Sequence, residues 1–117
     1  RKWESTFARI KWAAENAKDP GLRELARLRL ATLLLDEKSY EDAMKQLAAE
    51  PPAPFAPRFA ELRGDILAAQ GKAAEARDAY DTALTKLAAL AKDDEARQRA
   101  GYKDVLEAKR DALGAAK

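Results

Sequence analysis

The amino-acid sequence predicts an all-α fold of about six helices packed as antiparallel pairs. Three observations carry that expectation. Ala, Leu, Glu, Lys and Arg dominate the 117 residues while Gly and β-branched residues are scarce, so intrinsic propensity favours helix in almost every window. Apolar residues recur at steps of three and four rather than alternating, the period of one helix face. Short polar or Pro/Gly punctuation separates these runs, and tight connections make sequential helices antiparallel neighbours.

The first helix is expected over Lys2 to Ala17. Trp3, Phe7, Ile10, Ala14 and Ala17 form one stripe, which places Trp3 and Phe7 in the core, while Trp12 lies off it beside Ala8. Asp19-Pro20 reads as an N-cap followed by proline at the first helical position, where the missing N–H costs nothing. The second helix, Pro20 to Glu37, carries Leu22, Leu25, Leu28, Leu30, Leu33, Leu34 and Leu35. Apolar residues on nearly every face imply a helix sandwiched between neighbours. Ser39-Tyr40-Glu41-Asp42 has the form of a capping box with Asp in place of Glu. It opens a short helix to about Ala49, with Glu41 and Lys45 as an i,i+4 pair.

Pro51, Pro52, Pro54 and Pro57 follow at a spacing through which no helix runs. Glu50 to Ala56 is therefore the longest connection, with Phe55 tucked against the helices. Pro57 suits the first turn of a fourth helix ending near Gln70, and Gly71 is its C-terminal stop. A fifth helix, Ala73 to Ala91, presents Ala76, Tyr80, Ala83, Leu84 and Leu87. Asp93 or Asp94 caps a last helix ending near Leu113-Gly114, whose apolar side (Tyr102, Val105, Leu106, Leu113) is thin.

Shifting the chain by 33 residues exposes an internal repeat. Ala31 falls on Gly64, Leu33 on Ile66, Leu34 on Leu67, Ala43 on Ala76 and Leu47 on Tyr80. Only Leu34/Leu67 and Ala43/Ala76 are identical; the sizes agree better than the identities. A small residue sits midway along the first helix of each unit, and another opens the second, with a larger apolar residue four positions on. Antiparallel helices approach to about 8–10 Å only where something small stands at the crossing. The pattern resembles a tetratricopeptide repeat, most closely in the second unit; in the first, Lys38 stands for the turn glycine and Glu50 for a small residue. The expected architecture is thus a tetratricopeptide-like right-handed solenoid of antiparallel helix pairs. Residues 1–18 are the last helix of a truncated preceding repeat, 20–50 the first repeat, 56–91 the second and 94–114 a capping helix.

Phe59-Ala60-Glu61-Leu62-Arg63-Gly64-Asp65-Ile66-Leu67, then Gln70-Gly71-Lys72 and Glu75-Ala76-Arg77-Asp78-Ala79-Tyr80, resemble the C-terminal part of YfgM-like proteins, ancillary subunits of the bacterial SecYEG translocon. Leu28-Arg29-Leu30-Ala31 with Leu33-Leu34-Leu35 is similar to that family's preceding repeat, and Tyr102 to Leu113 to its terminal helix. The resemblance implies a single-pass inner-membrane protein with a periplasmic helical-repeat domain. Its implied partners are Sec translocon subunits and a membrane-anchored prolyl isomerase of the PpiD type. The family offers no catalytic motif.

The remaining composition narrows the chemistry. With no Cys and no His there is no disulfide, thiolate zinc site, imidazole base or Ser-His-Asp triad, and no cofactor motif is present. The formal charge is +2, with both signs interspersed, which argues against a nucleic-acid face. Arg9, Lys18, Arg23 and Arg27 lie among Glu15, Asp19 and Glu24, as a solvated surface would. The acidic pairs Asp36/Glu37 and Glu41/Asp42 and the run Asp93-Asp94-Glu95 stand at helix starts and turns, where capping and solvation explain them. The last run also lacks the glycine turn of a calcium loop. No run approaches the roughly 18–20 apolar residues of a membrane span, so the piece itself is expected to be soluble, with any membrane link through an upstream anchor. Its start at Arg1, with Met44 as its single Met, suggests a fragment or processed form.

Protein binding is the expected function, as a non-enzymatic adaptor. The first helix of each repeat lines the concave face of such a solenoid, which assigns Leu25, Leu28, Thr32 and Asp36 from the first unit and Arg58, Glu61, Asp65 and Ala69 from the second. Leu28 and Thr32 are poor substitutes for the Lys, Asn and Arg of carboxylate clamps. A mixed apolar and charged groove suits an extended or helical partner segment better, unless the Trp3 helix covers the leucines. Two adaptor roles fit: the periplasmic domain of a translocon-associated protein, and a cytosolic scaffold of an unrelated complex.

Overall fold

The computed structural model describes residues 2–90 and 96–114, which form six α-helices and one 3₁₀ turn, with no strand among the described residues. The chain divides into two compact units, Arg1–Glu50 and Pro51–Lys117.

The first unit holds α1 (Lys2–Asn16), α2 (Pro20–Asp36) and α3 (Tyr40–Gln46). Asp19 caps α2 as expected: its Oδ1 accepts from the Gly21 and Leu22 amides at 2.8 and 3.4 Å, with Pro20 in the first turn. Ala14, Ala26 and Leu30 are buried together, with Phe7, Ile10, Ala13 and Leu34 packed against them. Phe7 thus takes the inward place its spacing predicts; the side chain of Trp3 lies outside the described residues. Trp12 resolves to the exterior, 64% exposed. Glu24 is the buried charge of this unit, held by Arg27 at 3.2 Å and Arg23 at 3.6 Å.

Four local expectations are corrected in this unit. Ser39 stands at the N-cap of α3 but makes no side-chain cap bond. The helix ends at Gln46 rather than Ala49, and Lys45 reaches Asp42 at 3.9 Å rather than Glu41. Ser39 has ψ 68°, short of extended geometry, so the hydroxyl is not swung over the first turn. The apolar residues of α2 are not covered on every side either. α1 takes the Ala26/Leu30/Leu34 face and Ala31 is buried, yet Leu22 and Leu25 remain 55% and 44% exposed.

The second unit opens with the 3₁₀ turn Ala53–Phe55, where Pro52 precedes the turn and Phe55 is half-buried. It continues with α4 (Ala56–Ala69), α5 (Ala73–Ala89) and α6 (Ala96–Gly114). Pro57 sits in the first turn of α4, and Gly71 ends it with φ +80°. Ala60, Ala83, Leu87 and Leu106 form its core, joined by half-buried Leu84 and Tyr102. Val105, expected on the apolar side of α6, faces solvent. The proposed caps Asp93 and Asp94 lie outside the described residues.

The 33-residue repeat is visible in backbone hydrogen bonds. The Ser39 amide donates to Leu34 O at 2.8 Å and the Lys38 amide to Leu35 O at 2.9 Å. One period on, Lys72 donates to Leu67 O at 2.9 Å and Gly71 to Ala68 O at 3.0 Å. Both are left-handed C-terminal turns, and Lys38 adopts φ +62° where the second unit uses Gly71. The next helix starts alike: Ala43 donates to Ser39 O at 3.0 Å and Ala76 to Lys72 O at 2.9 Å. The small residues Ala31, Ala43 and Ala76 are wholly buried. At Gly64 an added Cβ would lie 2.6 Å from Tyr80 Cε1, the close approach that the size pattern demanded.

Candidate protein-binding faces

In the first unit the face is one side of α2. Leu25, Thr32 and Asp36 are exposed, and Leu28 is half-buried beside them. Thr32 Oγ1 donates to Leu28 O at 2.8 Å, so the hydroxyl is turned back on its own helix and the methyl group is left to face outward. Leu22 and Arg29, also exposed, complete a stripe at steps of three and four, Leu22-Leu25-Arg29-Thr32-Asp36. Leu22 and Arg29 were absent from the sequence-derived set, although the same periodicity points to them. α1 does not cover this side, since its packing partners on α2 are Ala26, Leu30 and Leu34.

In the second unit the corresponding residues of α4 meet α6. Lys109 Nζ donates to Glu61 Oε2 at 2.8 Å and to both Asp65 oxygens at 3.0 and 3.1 Å. Tyr102 donates its hydroxyl to Glu61 Oε1 at 2.8 Å, and Tyr80 of α5 donates to Asp65 Oδ1 at 2.5 Å. The Arg58 guanidinium stands 5.2 Å from the Tyr102 ring centroid, within cation–π range. Ala69 is exposed at the end of α4. Arg58, Glu61 and Asp65 are therefore brought together, but as one wall of an intramolecular network. The sequence contained its signal: Tyr102 and Lys109 are seven apart on one face of a helix, matching two carboxylates four apart on another.

Burial and the hydrogen bond to Asp65 push the Tyr80 phenol well above its usual range; burial and Glu61 do the same to Tyr102, against a smaller opposing effect of Arg58. Burial pulls Lys109 down, but its hydrogen bonds and charge interactions with Glu61 and Asp65 outweigh that and raise it. The two carboxylates thus hold a permanent cation, the chemistry of a fastening rather than of an acid–base pair. Among the described residues no group of three or more His, Cys, Asp or Glu side chains is placed to hold a metal ion. No helix among the described residues is long and apolar enough to cross a membrane.

Paired helices with a recurring left-handed turn and small residues at the crossings define a helical-repeat protein. Comparison agrees. The chain belongs to the tetratricopeptide repeat-like domain family, which matches residues 1–115. Over 87 residues it is 37% identical to a protein of Neisseria gonorrhoeae (strain ATCC 700825 / FA 1090) named ancillary SecYEG translocon subunit. That alignment takes in 74% of this chain and 42% of the relative, so the chain spans less than half the length of that protein. No solved structure matches the chain. The YfgM-like resemblance read from both repeats and the terminal helix is borne out by these two matches.

Proposed function

We propose that this chain is the periplasmic protein-binding domain of an inner-membrane protein that serves the Sec translocon as a non-enzymatic adaptor. The observation that carries the reading is the similarity to the ancillary SecYEG translocon subunit across most of the chain. Its partners are Sec translocon subunits and, by the same resemblance, a membrane-anchored PpiD-type prolyl isomerase. The contact residues are Leu25, Leu28, Thr32 and Asp36 in the first unit and exposed Arg58 and Ala69 in the second, where Glu61 and Asp65 back the face from within the Lys109 network. Exposed Leu22 and Leu25 supply apolar area, while Arg29 and Asp36 fix the register of a partner segment.

The test is site-specific photo-crosslinking from position 25 of the full-length protein in its native membrane, with and without Leu22→Glu. Adducts with translocon subunits or the prolyl isomerase, lost in the Leu22→Glu variant, are the expected result. Adducts solely with cytosolic proteins would replace this reading with that of a cytosolic scaffold. Unchanged translocon adducts in the variant would remove the α2 stripe from the contact.

A further inference from the structure

A cleft of about 220 Å³ opens in the first unit on the opposite side of α2 from the Leu22–Asp36 stripe. Half-buried Phe7 and Leu34 supply its apolar surface over wholly buried Leu30, and Gln46 adds a polar group. Its walls are α1, through Lys11, and α3, through Asp42 and Lys45. A cavity of about 150 Å³ holds a benzene molecule, so this volume admits one large apolar side chain.

The rim sets the charge of what enters. Lys11 is exposed and makes no hydrogen bond or ion pair among the described residues. Lys45 is engaged only by a long 3.9 Å contact with Asp42 between two largely exposed side chains, which holds it weakly. Two cations, one on α1 and one on α3, therefore stand at the rim with a single anion. An entering apolar group gains most when acids flank it on both sides, one for each wall. A free aromatic acid reaches one wall at a time; a polypeptide can present acid, apolar residue and acid in sequence.

We propose that this cleft is a second protein-binding site, separate from the α2 stripe, which takes a partner segment carrying one large apolar side chain flanked by carboxylates. The stripe would bind apolar area in register, whereas the cleft selects by charge. Among the described residues, every one that lines the cleft belongs to the first unit.

The test is an amide-resonance titration of the whole chain with three capped tripeptides: acetyl-Glu-Phe-Glu-amide, acetyl-Lys-Phe-Lys-amide and acetyl-Glu-Ser-Glu-amide. The Glu-Phe-Glu peptide is expected to shift Lys11, Lys45 and Gln46 and to bind at least about fivefold more tightly than either other peptide. Lys11→Glu/Lys45→Glu, two surface changes that leave the floor intact, should reverse the preference between the acidic and basic Phe peptides. A circular-dichroism melt establishes that this variant is folded. Equal affinities for the two Phe peptides, equal affinity for the Ser peptide, shifts confined to Leu22, Leu25 and Thr32, or no shifts at all would each overturn the proposal. The last two outcomes leave the translocon reading standing, because it rests on the other side of α2.

Discussion

A Cβ at position 64 would collide with three carbons of the Tyr80 ring, at 2.6 to 3.0 Å. Gly64→Ala should therefore destabilise the protein by about 1–3 kcal/mol through overpacking, in spite of alanine's better helix propensity. Most of that loss should vanish in a Tyr80→Leu background, a non-additivity that a urea-denaturation double-mutant cycle reads directly. Lys38 is the mirror case. A residue with a Cβ sits at φ +62° where the second unit places glycine, so Lys38→Gly should stabilise by about 1 kcal/mol, seen as a raised urea midpoint with unchanged slope. Two caps supply a further contrast. Asp19→Ala removes side-chain bonds to two amides and should cost about 0.5–2 kcal/mol, while Ser39→Ala should be nearly neutral because Ser39 makes no such bond.

Among the elements, α6 joins one buried apolar anchor to a polar fastening. Leu106 is its wholly buried anchor, and Leu106→Ala should cost about 2–5 kcal/mol. Around it stand Lys109 and Tyr102 on Glu61 and Asp65, and Arg110 on Asp81 of α5 at 3.3 Å. Folding raises all three phenol and ammonium groups in this network. Their contribution is thus fully present below the unfolded values, about 10 for Tyr and 10.4 for Lys, and is lost as pH climbs past them toward the folded ones. Stability should stay level from neutral pH to about 10 and then fall. In Tyr102→Phe/Lys109→Gln the fall should be shallower, as alkaline urea melts would record. The sequence disclosed α4 and α5 almost to the residue, since Pro57, Gly71 and the Ala76/Tyr80/Ala83 spacing each dictate a backbone event. It disclosed the carboxylates Glu61 and Asp65 but not their occupant. Periodicity assigns a residue to a face of its own helix; which other helix meets that face is decided by tertiary packing. The exposure of Leu22 was missed for a related reason: counting leucines around α2 does not say how many neighbours α2 has.

At the scale of the whole molecule, a 33-residue period recurs in turn geometry, helix starts and small-residue placement, while outright identity is sparse. Each unit has its own buried cluster, and a repeat protein's stability is to first order a sum over such units and their neighbour terms. Substitutions on the open α2 stripe should accordingly leave the thermal transition in place: Leu25→Glu is expected within about 0.5 kcal/mol of the parent, checked by calorimetry, while its partner adducts fall. The division of aromatic residues has a practical consequence. Both tryptophans, Trp3 and Trp12, belong to the first unit, whereas the hydrogen-bonded phenols of Tyr80 and Tyr102 belong to the second. Indole fluorescence therefore follows the first unit alone. In a Tyr40→Phe background, which removes the phenol of the first unit, the ultraviolet rise of tyrosinate above about pH 10 follows release of the second, without a label or an added probe.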